Sequence, residues 1–489
     1  MSDTVPFAIT ILIVSIVGLL AVVSSRLSSL IKIPSPAFFF VGASLVATFA
    51  PHFVYLSPRL ISKVVTVALV IILFEGGMHI GWSKVKAALI PILGVGIIGT
   101  FLTTIASAVF IHYSFGLSWY AASLIATAIA PTDPAMVFSV LGQREISGIS
   151  GDLIEGESGA NDPVGISLMV ALIGAGGVGA SSLLSVGGNF ILQMAVGALL
   201  GIVGGRLLLV FMRSIPLPKE GLYPLRSLTF IFIIYAAATI AHGSGFLAVF
   251  LGGIIIGDER APYKGEIVRF HSALASLGEI VAFFFLGMMV DLHQLMASDI
   301  WLPGLIIALV LIFLVRPLFV GPILATSSLS FKQSIFVLFA GLKGAVPVLL
   351  GSYLLSSHIP GASRLFGIIV IVVLVSVVVQ GSFVPMVARL LYVPMRIVEP
   401  EPWSIGVSLA NEPDGVHRLV VAKDSLGDGS SISEVMNFPG GAWISMVVRD
   451  GGLIPVNGAT ILLAGDSLLI LGDSYLYDAL VETFERHKE

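Results

Sequence analysis

The sequence predicts an all-α polytopic membrane protein followed by a small soluble α+β domain, and three observations carry that prediction. Of 489 residues, 56% are hydrophobic and only 11% are charged. Apolar runs of roughly 20 residues recur along most of the chain, each long enough to cross ~30 Å of hydrocarbon. Beyond about residue 400 these runs give way to short alternating patterns broken by Gly and Asp, the mark of strands and turns.

About thirteen spans are expected, near 6–24, 36–50, 61–80, 87–112, 118–141, 151–174, 188–212, 225–242, 245–257, 273–290, 302–322, 332–356 and 366–391. The first, in "VPFAITILIVSIVGLLAVVSS", follows an acidic start and reads as a retained span rather than a signal peptide. The 53 glycines suit close helix packing. With no cysteine present, disulfides, thiolate metal sites and cysteine nucleophiles are excluded.

Loop charges set the orientation. Arg26, Lys32, Lys84, Lys86, Arg144, Arg213, Lys219, Arg260, Lys264, Arg269 and Lys332 fall on one side, against little beyond Arg59, Lys63 and Arg364 on the other. The positive-inside rule then places the C-terminus in the cytoplasm and, for an odd span count, the N-terminus outside. Residues 1–400 carry 20 Lys+Arg against 16 Asp+Glu, whereas 401–489 carry 5 against 13. So acidic a tail is a poor match for nucleic acid or anionic lipid.

That tail is read as a separate cytoplasmic module. Strands are expected in "HRLVVAKD", "AWISMVVRDG" and "TILLAGDSLLILGD", and helices in "SISEVM" and "SYLYDALVETFERH". The expected division is a transmembrane domain at 1–397, a linker at 398–407 and a small α+β domain at 408–489.

The polar groups inside the spans carry the functional reading. An ionisable residue at membrane depth is costly and points to function; Glu75, Asp133, Glu157, Asp162, Glu279, Arg316 and Lys343 all qualify. In the sixth span, Asp162 lies ~16 Å from the helix start at 1.5 Å per residue. Glu155, Ser158 and Asp162 share one helix face, and Glu157 and Asn161 another. Asp133 falls near mid-depth in the fifth span, which Pro131 and Pro134 interrupt beside Thr132, freeing carbonyl oxygens. The twelfth span is broken in the same way around Lys343 by Gly341, Gly344 and Pro347. Two interrupted spans, each fifth of six, suggest inverted repeats and a midplane site of alternating access.

A buried carboxyl that holds either a proton or a cation, but never neither while crossing, gives obligatory exchange. Asp162, Asp133, Thr132, Ser158 and the freed carbonyls supply the oxygen ligands a hard monovalent cation prefers. No other metal site and no cofactor is expected. Asn161 is counted with these cation- and proton-binding residues, adding a neutral amide where a second carboxylate would otherwise stand, consistent with one titrating group per cycle. Glu157 and Lys343 are expected to form a scaffold ion pair, and Glu279 and Arg316 another between adjacent spans. Glu75 reads either as a funnel or pH-sensing group or as a solvated helix end. Asp152 and Glu155 read as a vestibule that attracts cations. His79 is taken as interfacial, His242 as a loop cap, and Asp258 and Glu259 as ordinary loop charges.

The motifs "ILFEGG", "TDP", "EGESGANDP", "SGFLAVFLGGIIIG" and "GLKGAVPVLL", in that order, resemble the monovalent cation/proton antiporter superfamily in its NhaP-type, cell-volume-regulation branch. The stretch "NFPGGAWISMVVRDGGLIPVNGATILLAGDSLLILG" resembles the TrkA-C (regulator of K⁺ conductance, C-terminal) module. The resemblance implies a secondary antiporter exchanging K⁺ or Na⁺ for H⁺, with K⁺ favoured, and Asp162 as the exchanged carboxylate beside Asp133, Thr132 and Ser158. The Asn-Asp pair, here Asn161 and Asp162, implies electroneutral exchange. It also implies a sixth-span Glu paired with a twelfth-span Arg. Glu157 matches, but Lys343 stands where the family usually has Arg, losing the bidentate fork. A homodimer in the inner (plasma) membrane and a small regulatory ligand on the C-terminal module are further implications.

Two other classes compete with this reading. A tail-gated cation channel would share the regulator-like tail, but no TVGYG-like filter is present. Gly156-Glu157-Ser158-Gly159 fits the G-x-S-G of rhomboid-type intramembrane serine proteases, with His242 as base, yet that leaves Asp133 and the broken twelfth span unexplained. The expectation is a transporter, not an enzyme.

Overall fold

The computed structural model describes residues 34–49, 57–141, 144–357, 359–397, 415–435, 442–449, 452–473 and 476–486, with single positions at 8 and 19. The expected first span, 6–24, and the expected linker, 398–407, lie outside the described residues. The chain divides into two compact units, one of residues 1–259 with 265–405 and one of 260–264 with 406–489.

The larger unit is helical. In chain order it comprises α1 (Ser35–Phe49), α2 (Pro58–Ala87), α3 (Leu89–Phe115), the pair α4 (Trp119–Ile129) and α5 (Pro134–Leu141), α6 (Ile149–Ala175), α7 (Ala180–Ser214), α8 (Leu222–Ile240), α9 (Gly245–Gly257), α10 (Lys264–Gly287), α11 (Ser298–Leu324), the pair α12 (Phe331–Phe339) and α13 (Ala345–Ser356), and α14 (Ala362–Leu390). Every expected span from 36–50 onward falls on one of these helices or broken pairs. Among the described residues, seven are long and apolar enough on their own to cross a bilayer, and the bent pair α4–α5 makes eight. Helix α6 has the length, but Asp152, Glu155, Glu157 and Asp162 crowd its first half.

Helix starts follow local chemistry. Ser57, Ser118 and Ser244 each accept a backbone N–H three residues on, and Ser330 forms a reciprocal capping box with Gln333. Breaks follow it too: α4 and α5 meet at a 42° bend across the Pro131–Pro134 interval. Three single π-helical stretches, Gly94–Gly99, Leu311–Val315 and Val375–Gln380, lie inside α3, α11 and α14. Helix α2 is interrupted at Gly81, whose φ is 65°. Asp258 accepts the Ser83 N–H there. This corrects the reading of Asp258 as an ordinary loop charge: it caps backbone that the break leaves open.

A two-stranded antiparallel clip, which the sequence reading did not anticipate, pairs β1 (Arg144–Ile146) with β2 (Met395–Ile397). It ties the segment before α6 to the segment after α14.

The smaller unit contains a four-stranded antiparallel sheet of β3 (Gly415–Val420), β4 (Trp443–Arg449), β5 (Gly452–Ile454) and β6 (Ser467–Gly472), in the order β3-β6-β4-β5. Helices α15 (Ile432–Val435) and α16 (Tyr477–Phe484) complete it. Alternate residues of β6, Leu468 and Ile470, enter a core with Leu419, Ile444, Val447, Leu480 and Phe484. The expected strands and helices therefore form, within the described residues. Asp466 is fully buried and receives Arg449 through two bonds of 2.7 Å and the Leu463 N–H at 2.8 Å. Burial pushes its carboxyl upward, but these hydrogen bonds and the Arg449 charge outweigh it and hold the group below the usual Asp range.

Candidate functional site

The two broken pairs meet. Asp133, in the α4–α5 break, donates its N–H to Leu342 O in the α12–α13 break at 2.8 Å. Its carboxylate accepts the Ala135 N–H at 3.0 Å, so Asp133 serves as a start signal for α5. A Cβ at Gly344 would overlap that carboxylate, so only glycine lets α13 begin so close to it.

Each break exposes carbonyls that a continuous helix would have used, and a cation meets each set. Lys343 is 2% exposed, and its Nζ donates to Ala130 O at 2.9 Å and Pro131 O at 3.0 Å. Arg316 donates to Leu338 O at 2.9 Å and Val337 O at 3.4 Å, the end of α12. Cations at helix C-terminal ends also complement the helix dipole. A Cβ at Gly341 would meet the Arg316 guanidinium.

Arg316, not Lys343, is the partner of Glu157. Its Nη1 and Nη2 reach the two carboxylate oxygens at 2.7 and 2.9 Å, a bidentate fork with both residues buried. The expected pairs Glu157–Lys343 and Glu279–Arg316 are therefore corrected. A planar guanidinium matches a carboxylate in a way an ammonium cannot, whereas the compact ammonium of Lys343 suits two diverging carbonyls. Glu279 is left without Arg316, and its Oε1 has no hydrogen-bond partner among the described residues.

Beside these contacts lies a cavity of about 310 Å³. Thr132, Asp133, Glu155, Ser158 and Asp162 line it, and Glu75, His79 and Glu279 line it from α2 and α10. The expected α6 face of Glu155, Ser158 and Asp162 is thus the cavity face. Glu75 belongs to the cavity rather than to a solvated helix end. His79 is half-exposed and lies 3.5 Å from Glu155. Asp152 does not line the cavity and stands 3.7 Å from Lys84 on the exposed surface.

Asp162 is 7% exposed. Its Oδ2 receives a long 3.5 Å contact from Ser158 Oγ, and its Oδ1 has no hydrogen-bond partner among the described residues. A buried carboxylate oxygen left open is costly unless a proton or a cation occupies it.

Asn161 is drawn elsewhere. Its Nδ2 donates to Thr132 Oγ1 at 2.8 Å and its Oδ1 accepts the Thr132 N–H at 3.3 Å. It pins the α4–α5 break to α6 and does not line the cavity, which corrects its expected place among cation ligands. Thr132 Oγ1 also lies 3.5 Å from Glu157 Oε1. His242 does not line the cavity that holds Ser158, so the protease reading gains no nucleophile–base pair. Sequence reading missed two further groups, Ser376 and Gln380 on α14, which bond the α12–α13 break. A Ser and a Gln four residues apart inside "VSVVVQG" were the available signal.

Residues 7–390 match the family described as sodium/hydrogen exchanger, transmembrane. The chain is 33% identical over 499 residues to the K(+)/H(+) antiporter NhaP2 of Shewanella sp. (strain MR-4), covering 99% of this chain and 84% of that protein. It is also 33% identical over 384 residues to the K(+)/H(+) antiporter NhaP of Alkalimonas amylolytica, covering 78% of this chain and 66% of that relative's length. Among solved structures, the sodium proton antiporter MjNhaP1 from Methanocaldococcus jannaschii at pH 8 superposes with a TM-score of 0.66 at 22% identity, covering 79% of this chain and 99% of that one. That likeness concerns the fold.

Proposed function

This chain belongs to the sodium/hydrogen exchanger family, and on that premise we propose that its membrane unit is a secondary antiporter exchanging K⁺ or Na⁺ for H⁺ through Asp162. One observation carries the reading: Asp162 is buried, faces the cavity, and has an oxygen with no partner among the described residues. Proton and cation compete for that oxygen, and a bare carboxylate crossing an apolar barrier is too costly to be populated. Exclusive occupancy then couples the two fluxes.

The surroundings suit the task. Ser158, Asp133 and Thr132 supply oxygens for a hard cation, while Arg316 and Lys343 hold the crossed breaks without entering the cavity lining. Asn161 is occupied by Thr132, and Glu157 by Arg316. On this reading the working carboxyl is Asp162 alone, and one proton leaves for each monovalent cation that enters, with no net charge moved. The crossed breaks move with α6 in a rocking or elevator-like shift that presents Asp162 to either side. Relatives whose names state K⁺/H⁺ exchange favour K⁺ as the cargo. The remaining features of the proposal are a homodimer in the plasma membrane with its C-terminus in the cytoplasm. A linker at 398–407 leads to a TrkA-C-like regulatory module at 408–489 that responds to a small ligand.

Purified protein in proteoliposomes tests this. An imposed K⁺ gradient is expected to drive counter-movement of protons, detected by an internal pH dye, at a rate unchanged by clamping the membrane voltage. Cation flux that follows voltage without moving protons would identify a channel and refute the reading.

A further inference from the structure

Two buried polar side chains on α14 have no part in the exchange as described so far. Ser376 is 1% exposed and Gln380 is 4% exposed, and both lie in the π-helical stretch Val375–Gln380 among valines. Ser376 Oγ accepts the Lys343 N–H at 3.0 Å and donates to Gln380 Oε1 at 2.8 Å. The Gln380 amide donates onward to Phe339 O at 2.7 Å. The single hydroxyl proton is used toward Gln380, and its lone pair toward Lys343, so the arrangement is internally satisfied.

The two ends of this chain of bonds matter. Phe339 is the last residue of α12, and Lys343 precedes the Gly344 that caps α13. Backbone groups in such a break have no helical partner, and in apolar surroundings each must find one. Between the two gripped positions lies Leu342, whose carbonyl receives the Asp133 N–H. Lys343 itself carries the ammonium that holds the α4–α5 break. A shift of the α12–α13 break would therefore displace Asp133 relative to Asp162.

We propose that Ser376 and Gln380 are positioning residues for the exchange, a polar clamp on α14 that fixes the α12–α13 break and through it the placement of Asp133 and Lys343. The proposal rests on the assignment of Asp162 as the exchanging carboxyl. A clamp of this kind sets cation affinity rather than merely the amount of folded protein, because Asp133, placed through it, lines the cavity beside Asp162.

The test compares Ser376→Thr with Ser376→Val, which match in shape and differ only in the hydroxyl. In proteoliposomes, Ser376→Thr is expected to keep the half-saturating K⁺ concentration within about two-fold of native. Ser376→Val is expected to raise it on the order of five- to ten-fold, the worth of one net hydrogen bond, and to displace the pH profile of exchange. Equal half-saturation and equal pH profiles for the two variants would overturn the clamp. Amide hydrogen exchange over residues 339–344 gives a second reading that needs no transport: faster by on the order of ten-fold in Ser376→Val than in Ser376→Thr, or, against the proposal, the same in both. If native protein moves no cation, the Asp162 assignment fails and this second comparison alone decides the clamp. If Ser376→Val does not fold, Gln380→Met, which removes only the bonds made by the amide, replaces it in both measurements and is compared with native protein, and equal half-saturation and equal amide exchange in the two would overturn the clamp.

Discussion

Replacing Arg316 with methionine leaves the Glu157 carboxylate buried with its two strongest bonds gone. Glu157 is 3% exposed and Arg316 4%, so water relieves neither charge. Removing one partner of such a pair costs about 3–5 kcal/mol, mostly the penalty of the orphaned charge. Arg316→Lys keeps the charge but only one of the two fork bonds, and is expected to lose about 1.5–3 kcal/mol, the worth of one charge-assisted bond. The double substitution Arg316→Met with Glu157→Leu removes the orphan and should recover most of the loss. The same cycle with Lys343→Met is expected to show clearly less coupling than the Arg316 cycle, because Lys343 bonds the carbonyls of Ala130 and Pro131 and meets the Glu157 charge only through space. Reversible unfolding of the purified protein by SDS titration in mixed micelles, followed by circular dichroism, supplies the free energies. Coupling in the Lys343 cycle and none in the Arg316 cycle would refute the pairing.

Three further outcomes follow from the geometry. Gly344→Ala drives a Cβ into the Asp133 carboxylate and is expected to cost about 1–3 kcal/mol and to abolish vesicle exchange; native-like exchange would show that the two breaks do not meet as described. Ser158→Ala removes a 3.5 Å contact to Asp162 and one of the proposed cation oxygens while leaving the exchanging carboxyl, so exchange should persist within a few-fold of native, and complete loss would assign Ser158 a larger role. Asp466 titrates below its unfolded value, so its contribution to the smaller unit is present at neutral pH and fades as pH falls through about 3.9 and then through the lower folded value. Protection factors of the β4 and β6 amides in the intact protein, corrected for the intrinsic pH dependence of amide exchange, should fall on that acid limb, and Asp466→Asn should flatten the dependence; an unchanged dependence would remove Asp466 as its cause.

Much of the framework was legible because its physics is local. Apolar run length marks helices, and Pro131, Pro134, Gly341, Gly344 and Pro347 mark breaks. The i, i+3, i+7 spacing of Glu155, Ser158 and Asp162 identifies one face of α6 without any knowledge of its neighbours, and that face lines the cavity. The partner of Glu157 was not legible, because helical spacing says which way a side chain points but not what stands across the gap. The π-helical stretch Leu311–Val315 just before Arg316 leaves no mark in an apolar run, yet it alters the direction in which the guanidinium leaves the helix. Lys343 was read as a charge in search of a charge, whereas the break supplied it with carbonyls. Asn161 is counted with the ligands for its neutral amide, although the helix face it shares with Glu157 is not that of Asp162 and turns it to Thr132 instead. Ser376 and Gln380 were overlooked because neither carries charge, even though a buried glutamine in a valine run needs partners as surely as a buried carboxylate does.

The central claim is that Asp162 exchanges a proton for a cation, and Asp162→Asn tests it most directly. The amide nearly preserves shape but holds neither a titratable proton nor a negative charge. In proteoliposomes given K⁺, Na⁺ or Li⁺ gradients, native protein is expected to move protons in exchange for K⁺ or Na⁺, and the variant, folded and present in equal amount, is expected to move none above empty vesicles. Coupled exchange persisting in Asp162→Asn at a rate near native would contradict the account.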